Sequence, residues 1–192
     1  MSVKMIEVRW HGRGGQGAKT AALLFAEAVM ATGKYIQAFP EYGPERMGAP
    51  VQSFNRISEE PIIIHSGIKN PDYVVVLDSS LMESVPVTEG LGKGGKIVIN
   101  TSLSTSKIAQ KLDIDISQVH VVNASQIALE TIGRDIPNTP MLGALVKVIG
   151  TLDINGVLED IETKLTAKFR HKPGVMKGNL TSIKRAFDEV KN

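Results

Sequence analysis

Apolar residues recur along this chain with two alternating periods, and the alternation predicts a layered domain. Residues 5–10 (MIEVRW) alternate and are β-prone, so they read as a first strand. Residues 12–17 form a glycine-rich turn, and in residues 18–32 Ala22, Phe25, Ala26 and Val29 fall at helical spacing. Gly33 closes that helix, residues 35–39 make a short second strand, and residues 40–50 are a loop. Residues 51–57 and 61–65 are extended runs on either side of Ser58-Glu59-Glu60, which predicts a hairpin. Residues 73–78 (YVVVLD), 96–100 (KIVIN) and 119–123 (VHVVN) are continuous β-branched runs, as expected for strands buried on both faces. Helices are predicted over 104–111, 124–132, 140–149, 153–168 and 175–190. Strands alternating with helices predict an α/β fold: a three-layer, Rossmann-like domain with a mostly parallel sheet plus an antiparallel hairpin. The length of 192 residues fits a single domain spanning 1–192.

Composition narrows the chemistry. The formal net charge is +2 and charged residues make up 22%, without the concentrated basic stripe that nucleic-acid binding requires. Cysteine is absent, which excludes disulfides, a thiol nucleophile and any thiolate-held iron–sulfur cluster on this chain. No apolar run approaches the roughly 18 residues of a membrane span, and the first residues have no signal-peptide core. The expected setting is therefore the cytoplasm, with neither membrane nor nucleic acid as partner.

The strongest local signal is the loop Gly12, Arg13, Gly14, Gly15, Gln16 and Gly17, which satisfies G-x-G-x-x-G between a strand and a helix. Glycines let the backbone approach a ligand, the helix N-terminus offers free N–H groups to an anion, and an arginine can grip a phosphate with two bonds. The bland alternative is a tight strand-to-helix turn with no ligand. A dinucleotide reading also needs an acid at the end of the second strand; Glu41 is near that distance but follows Pro40. No G-K-[ST] follows the loop, so an ATPase is disfavoured. The second loop, EYGPERMGA over residues 41–49, brings carboxylates, an aromatic, Arg46 and glycines to the same carboxyl edge of the sheet. Its alternative is a solvated loop.

Other polar residues are read more plainly. His11 could touch a ligand or simply pack at the strand end, and no histidine pair has metal spacing. Asp78 best serves as a cap for the helical turn that follows, and Asn138 and Thr139 cap the next helix or meet a neighbouring subunit. No nucleophile–base set or paired-carboxylate site stands out, so independent catalysis is not expected.

The blocks HGRGGQGAKTAA (11–22), QAFPEYGPERMGAPVQSFNRI (37–57), NPDYVVVLD (70–78) and IPNTPMLGALV (136–146) resemble the γ subunit of the 2-oxoacid:ferredoxin oxidoreductases, most closely the pyruvate type. The likeness runs through nearly the whole chain in order. It implies a subunit of a complex that converts a 2-oxoacid, coenzyme A and oxidised ferredoxin into an acyl-CoA, carbon dioxide and reduced ferredoxin. It implies partners of α, β and δ type. Thiamine diphosphate, Mg²⁺ and iron–sulfur clusters would reside on those subunits, in agreement with the absence of cysteine here. It further implies that this chain holds coenzyme A, through Gly12, Arg13, Gly14, Gly15, Gln16, Gly17 and Arg46. Where single-chain relatives carry lysines in the second loop, this sequence has Glu45 and Arg46. A free-standing NAD(P)-dependent oxidoreductase and a purely scaffolding subunit are the competing readings.

Overall fold

The computed structural model describes residues 5–41, 47–168 and 173–192. Six strands form one sheet in the order β2-β3-β1-β4-β5-β6: β1 (Ile6–Arg13), β2 (Tyr35–Pro40), β3 (Pro50–Ser58), β4 (Tyr73–Val76), β5 (Lys96–Asn100) and β6 (Val119–Val122). The ladders β1/β4, β4/β5 and β5/β6 are parallel. Only β3 runs against the rest, and it pairs with β1 on one side and β2 on the other.

That interposed strand corrects the expected hairpin. Both edges of β3 are taken, so residues 61–65 have no ladder to join, and they form no strand. Their carbonyls are met by side chains instead. Arg56 donates to Ser66 O at 2.6 Å and to Ile64 O at 3.4 Å, and Gln37 donates to Ile62 O at 3.5 Å. Pro61 would in any case lack a ladder donor. The same pairing lengthens β1 beyond its predicted end: Gly12 sits opposite Val51 and Arg13 opposite Pro50. Two of the loop's residues are therefore strand, and the turn proper is 14–17.

The helices are α1 (Ala18–Met30), α2 (Thr105–Leu112), α3 (Ala124–Ile132), α4 (Asn138–Ile149), α5 (Ile154–Lys168) and α6 (Pro173–Glu189). One core lies between the sheet and α1, α3, α4, α5 and α6, with Val8, Trp10, Phe25, Val75, Val98, Leu142 and Ile183 inside it. The second, smaller core covers the other face of β4, β5 and β6 through α2 and a short 3₁₀ turn at Ser79–Glu83. Over β1, β3 and β2 that second face has no helix among the described residues. Strands β4 and β5 are buried on both faces, which is why they read as unbroken apolar runs.

A polar residue inside the main core fixes the register of β3. Asn55 is fully buried, accepts from Trp10 Nε1 at 2.8 Å, and donates to Ala22 O at 2.9 Å. One side chain thus ties β3 to β1 and to α1, and a one-residue slip would break all of it. Gly143 in α4 does similar work by being small: a Cβ there would strike the backbone of Ile183, so α4 and α6 cross in close contact.

Candidate functional site

The carboxyl ends of β1 and β4 lie side by side, and the chain turns away from them in opposite directions, the position where open α/β sheets bind ligands. Residues of the first loop meet the second there. Gly14 N donates to Ala49 O at 2.9 Å, and Gly48 N donates back to Gly14 O at 3.0 Å. Gly15 and Gly17 have φ of 97° and 83°, so the turn uses the left-handed region that only glycine enters freely. Gly17 also needs its missing side chain, because a Cβ would lie 2.6 Å from Asn138 Nδ2.

Arg13 is the hub of this clasp. Its Nε donates to Asp78 Oδ2 at 3.1 Å, one terminal nitrogen to Gly48 O at 3.1 Å, and the other to Ser80 Oγ at 2.9 Å. Gln16 closes the turn from within: its Oε1 accepts from Arg13 N at 2.7 Å and its Nε2 donates to Asp78 Oδ2 at 2.8 Å. Burial pushes the Asp78 carboxyl up, but hydrogen bonds from Ser80 and Gln16, with Arg13 beside it, more than offset this and hold it below the usual carboxylate range. Asp78 caps the Ser79–Glu83 turn, accepting from Ser80 N, as its position at the strand end predicts. Arg13 was expected to grip a phosphate. In the structure its guanidinium is committed to joining the two loops and the end of β4.

What remains open is the start of α1. Gly17 is its N-cap, no side chain caps it, and the first backbone N–H groups of the helix are free of intrahelical partners. They face a cavity of about 500 Å³ lined by Gly14, Gly15, Gly17, Lys19, Thr20 and Met47. Lys19 and Thr20 are exposed, and no carboxylate among the described residues pairs with Lys19. The sequence reading missed both residues. The available signal was a basic residue in the first turn of the helix, where its ammonium can share an anion with the backbone. Gly12 is packed beneath, its absent Cβ facing Ala18 and Leu77 at 3.2 Å, so it allows close strand–helix packing rather than ligand approach. Arg46 lies outside the described residues.

The other polar candidates take different roles, and Glu41 lines the same cavity. Asn138 and Thr139 neither precede α4 nor lie on the surface; they are buried in its first turn, with Asn138 Oδ1 accepting from Thr139 N at 2.8 Å. Asn138 is the floor under Gly17. His11 points to the opposite face of the sheet, where Arg9 Nε donates to its Nε2 at 3.0 Å. Burial, with the Arg9 charge beside it, lowers its pKa to about 3. Glu41 follows β2, but β3 stands between β2 and β1, so it lies two strand spacings away, roughly 10 Å. A ribose-reading acid belongs on the adjacent parallel strand, so the dinucleotide fingerprint is not met. Among the described residues no cluster of metal-binding side chains occurs, and no helix is long and apolar enough to cross a membrane.

Comparison with known proteins gives this geometry a family. Residues 7–189 match the family model described as pyruvate ferredoxin/flavodoxin oxidoreductase. The chain is 45% identical over 188 residues to pyruvate synthase subunit PorC of Thermotoga maritima, covering 98% of this chain and 96% of that one. It is 47% identical over 186 residues to the pyruvate/ketoisovalerate oxidoreductases common subunit gamma of Pyrococcus furiosus, covering 97% of each. The crystal structure of the Thermotoga maritima subunit superposes with a TM-score of 0.84 at 42% identity over 98% of both chains. A 2-oxoglutarate:ferredoxin oxidoreductase from Magnetococcus marinus shares the fold at a TM-score of 0.73 and 19% identity, over 95% of this chain and 30% of that one. This chain therefore belongs to the pyruvate ferredoxin/flavodoxin oxidoreductase family, as a γ-type subunit of the 2-oxoacid:ferredoxin oxidoreductases.

Proposed function

We propose that this chain is the subunit that holds coenzyme A in a cytoplasmic pyruvate:ferredoxin oxidoreductase. The observation that carries the reading is the uncapped N-terminus of α1 opening on a cavity of about 500 Å³ lined by glycines and Lys19. A diphosphate seated there would accept from free backbone N–H groups, gain from the helix dipole and lie within reach of an unpaired ammonium. Gly14, Gly15 and Gly17 let the backbone approach it. Gln16 and Arg13 contribute by holding the turn in shape, and Arg46 of the second loop supplies a further cation.

The remaining chemistry belongs to partner subunits of α, β and δ type. A chain without cysteine cannot hold a thiolate-ligated cluster, so iron–sulfur centres, with thiamine diphosphate and Mg²⁺, fall to those partners, and ferredoxin is reached through them. Choice of oxoacid also lies elsewhere. The Pyrococcus furiosus relative is named as common to pyruvate and ketoisovalerate oxidoreductases, which fits a subunit that serves the thiol acceptor common to both.

The test uses the complex that copurifies with the tagged chain, assayed anaerobically for viologen reduction requiring both pyruvate and coenzyme A. Gly14→Asp, which sets a carboxylate at the helix N-terminus, and Lys19→Ala should each raise KM for coenzyme A about tenfold, the effect of roughly 1.4 kcal/mol. The KM for pyruvate should stay unchanged. An unaltered KM for coenzyme A in both variants would leave the scaffolding role as the better reading.

A further inference from the structure

A cavity larger than the one at the glycine loop lies elsewhere. It is a groove of about 1220 Å³ on the opposite face of the sheet, over β1, β3 and β2, where no helix lies among the described residues. The two cavities share only Pro40, Glu41 and Gln52 in their linings. Sheets of this kind ordinarily carry a layer on both faces, and among the described residues no helix supplies half of one layer. The volume also exceeds the ~300–1,000 Å³ usual for a small-molecule site.

The floor of the groove holds two buried polar side chains whose partners among the described residues are few. Arg9 is 5% exposed and His11 2% exposed. Arg9 donates from Nε to His11 Nε2 at 3.0 Å, and from one terminal nitrogen to Val87 O at 3.1 Å and Glu89 O at 2.6 Å. Its other terminal nitrogen has no acceptor among the described residues. Because His11 Nε2 accepts, the ring carries its hydrogen on Nδ1, and that donor too has no acceptor among the described residues. The low pKa of His11 keeps the ring neutral, so this tautomer persists at physiological pH. No carboxylate among the described residues makes an ion pair with Arg9; Glu89 and Glu41 act on it through space. A buried guanidinium held by two carbonyls and a neutral imidazole is complementary to a carboxylate.

Part of the wall is aromatic. Phe39 and Phe54 stack with centroids 5.2 Å apart, and Arg56 lies over the Phe39 ring at 5.3 Å. Beside the groove, Ile63 is 84% exposed on a segment whose neighbouring carbonyls are pinned by Arg56. A large apolar side chain held in water on an anchored loop is a contact residue without its contact.

We propose that this groove seats a segment of a neighbouring subunit of the complex, which offers a carboxylate to Arg9 and His11 and apolar side chains to Phe39, Phe54 and Ile63. The inference rests on the chain working inside a complex and is independent of where coenzyme A binds. It supplies a covering layer for that half of the sheet and a counter-charge for Arg9.

The test compares the isolated chain with the purified native complex by hydrogen exchange. Amides of residues 37–41 and 62–69 should exchange at least tenfold more slowly in the complex. Carbodiimide, a zero-length coupler of carboxylates to amines, should join Lys69 in the groove wall to an Asp or Glu of one defined partner. Ile63→Asp, an exposed change that leaves the fold intact, should lower recovery of that partner at least tenfold. Whatever complex it still forms should keep the normal KM for coenzyme A, which separates failure here from failure of the coenzyme A reading. Arg9→Met probes the floor directly, but it also removes three bonds that hold the fold, so Ile63→Asp is the deciding variant. Equal exchange in both forms, with normal recovery of the Ile63→Asp complex, overturns the proposal. So does a shift of the His11 ring resonances by acetate or inorganic phosphate when the groove stays unprotected in the complex, since the groove would then be a small-anion site.

Discussion

Replacing Gly17 by alanine tests whether the turn is shaped by close packing or only by backbone conformation. Gly17 has φ of 83°, and a non-glycine residue there costs about 1–2 kcal/mol in the left-handed region. The added Cβ would also lie 2.6 Å from Nδ2, 3.1 Å from Cγ and 3.3 Å from Cβ of Asn138. Asn138 cannot swing away cheaply. It is buried, and its Oδ1 accepts from Thr139 N at 2.8 Å and from Thr139 Oγ1 at 3.2 Å. Overpacking of this kind costs about 1–3 kcal/mol, and losing one of those bonds about another 1 kcal/mol. Gly33 supplies the control: its φ is 81°, and nothing lies within 4 Å of where its Cβ would be. Gly33→Ala should therefore show the conformational cost alone, reduced by about 0.4–1 kcal/mol because the unfolded chain becomes less free. Urea unfolding of the two variants and the parent chain should give a Gly17→Ala loss larger than the Gly33→Ala loss by roughly 1–4 kcal/mol. Equal losses would refute the claim that α1 and α4 meet in contact beneath the loop.

Further outcomes follow from polar groups that are buried or half-buried. Asn55→Ala leaves buried Trp10 Nε1 without its acceptor, at about 1–3 kcal/mol, and removes a second bond to the helical carbonyl of Ala22, worth about 1 kcal/mol, so urea unfolding should show a loss of about 2–4 kcal/mol. The Asp78 carboxyl is held below its ordinary value, so the unfolded chain binds its proton first; its contribution is full above pH ~4 and fades as pH falls through the lower folded value. Asp78→Asn should flatten that part of the stability profile and speed amide exchange at Gly14 and Gly48. The His11 ring, with its pKa lowered to about 3, should not titrate between pH 5 and 8 by NMR. For the same reason stability should decline as pH drops from about 6.5 toward 3, because the unfolded chain takes up the proton there, and His11→Gln should lessen that decline.

The two loops of the carboxyl edge divide the work. Arg13 and Gln16 build the clasp that gives the turn its shape, and in the proposed reading the helix start with Lys19 is left to meet an anion. This explains how a G-x-G-x-x-G loop can serve without a dinucleotide: the reading acid on the next parallel strand is displaced by β3.

The sequence by itself determined the layers of this protein and much of its chemistry. The runs YVVVLD and KIVIN are apolar through their centres because both faces are covered, and that pattern is local. The helix after Gly17 carries its own spacing, and the absence of cysteine alone settles that no thiolate-held cluster sits here. The resemblance in the glycine and PEYGPERMG blocks was legible too, because those residues are short-range and chemically distinctive. The partner of β3 was not. Residues 51–57 are equally able to pair with a following run or with two distant strands, and only competition for the edges of the sheet decides which. The same non-local choice placed Gly12 and Arg13 in a strand, turned Arg13 toward Asp78, brought Asn138 beneath Gly17 and left Arg9 and His11 under an uncovered face. Local pattern encodes which residues will be buried; only the tertiary structure encodes against what.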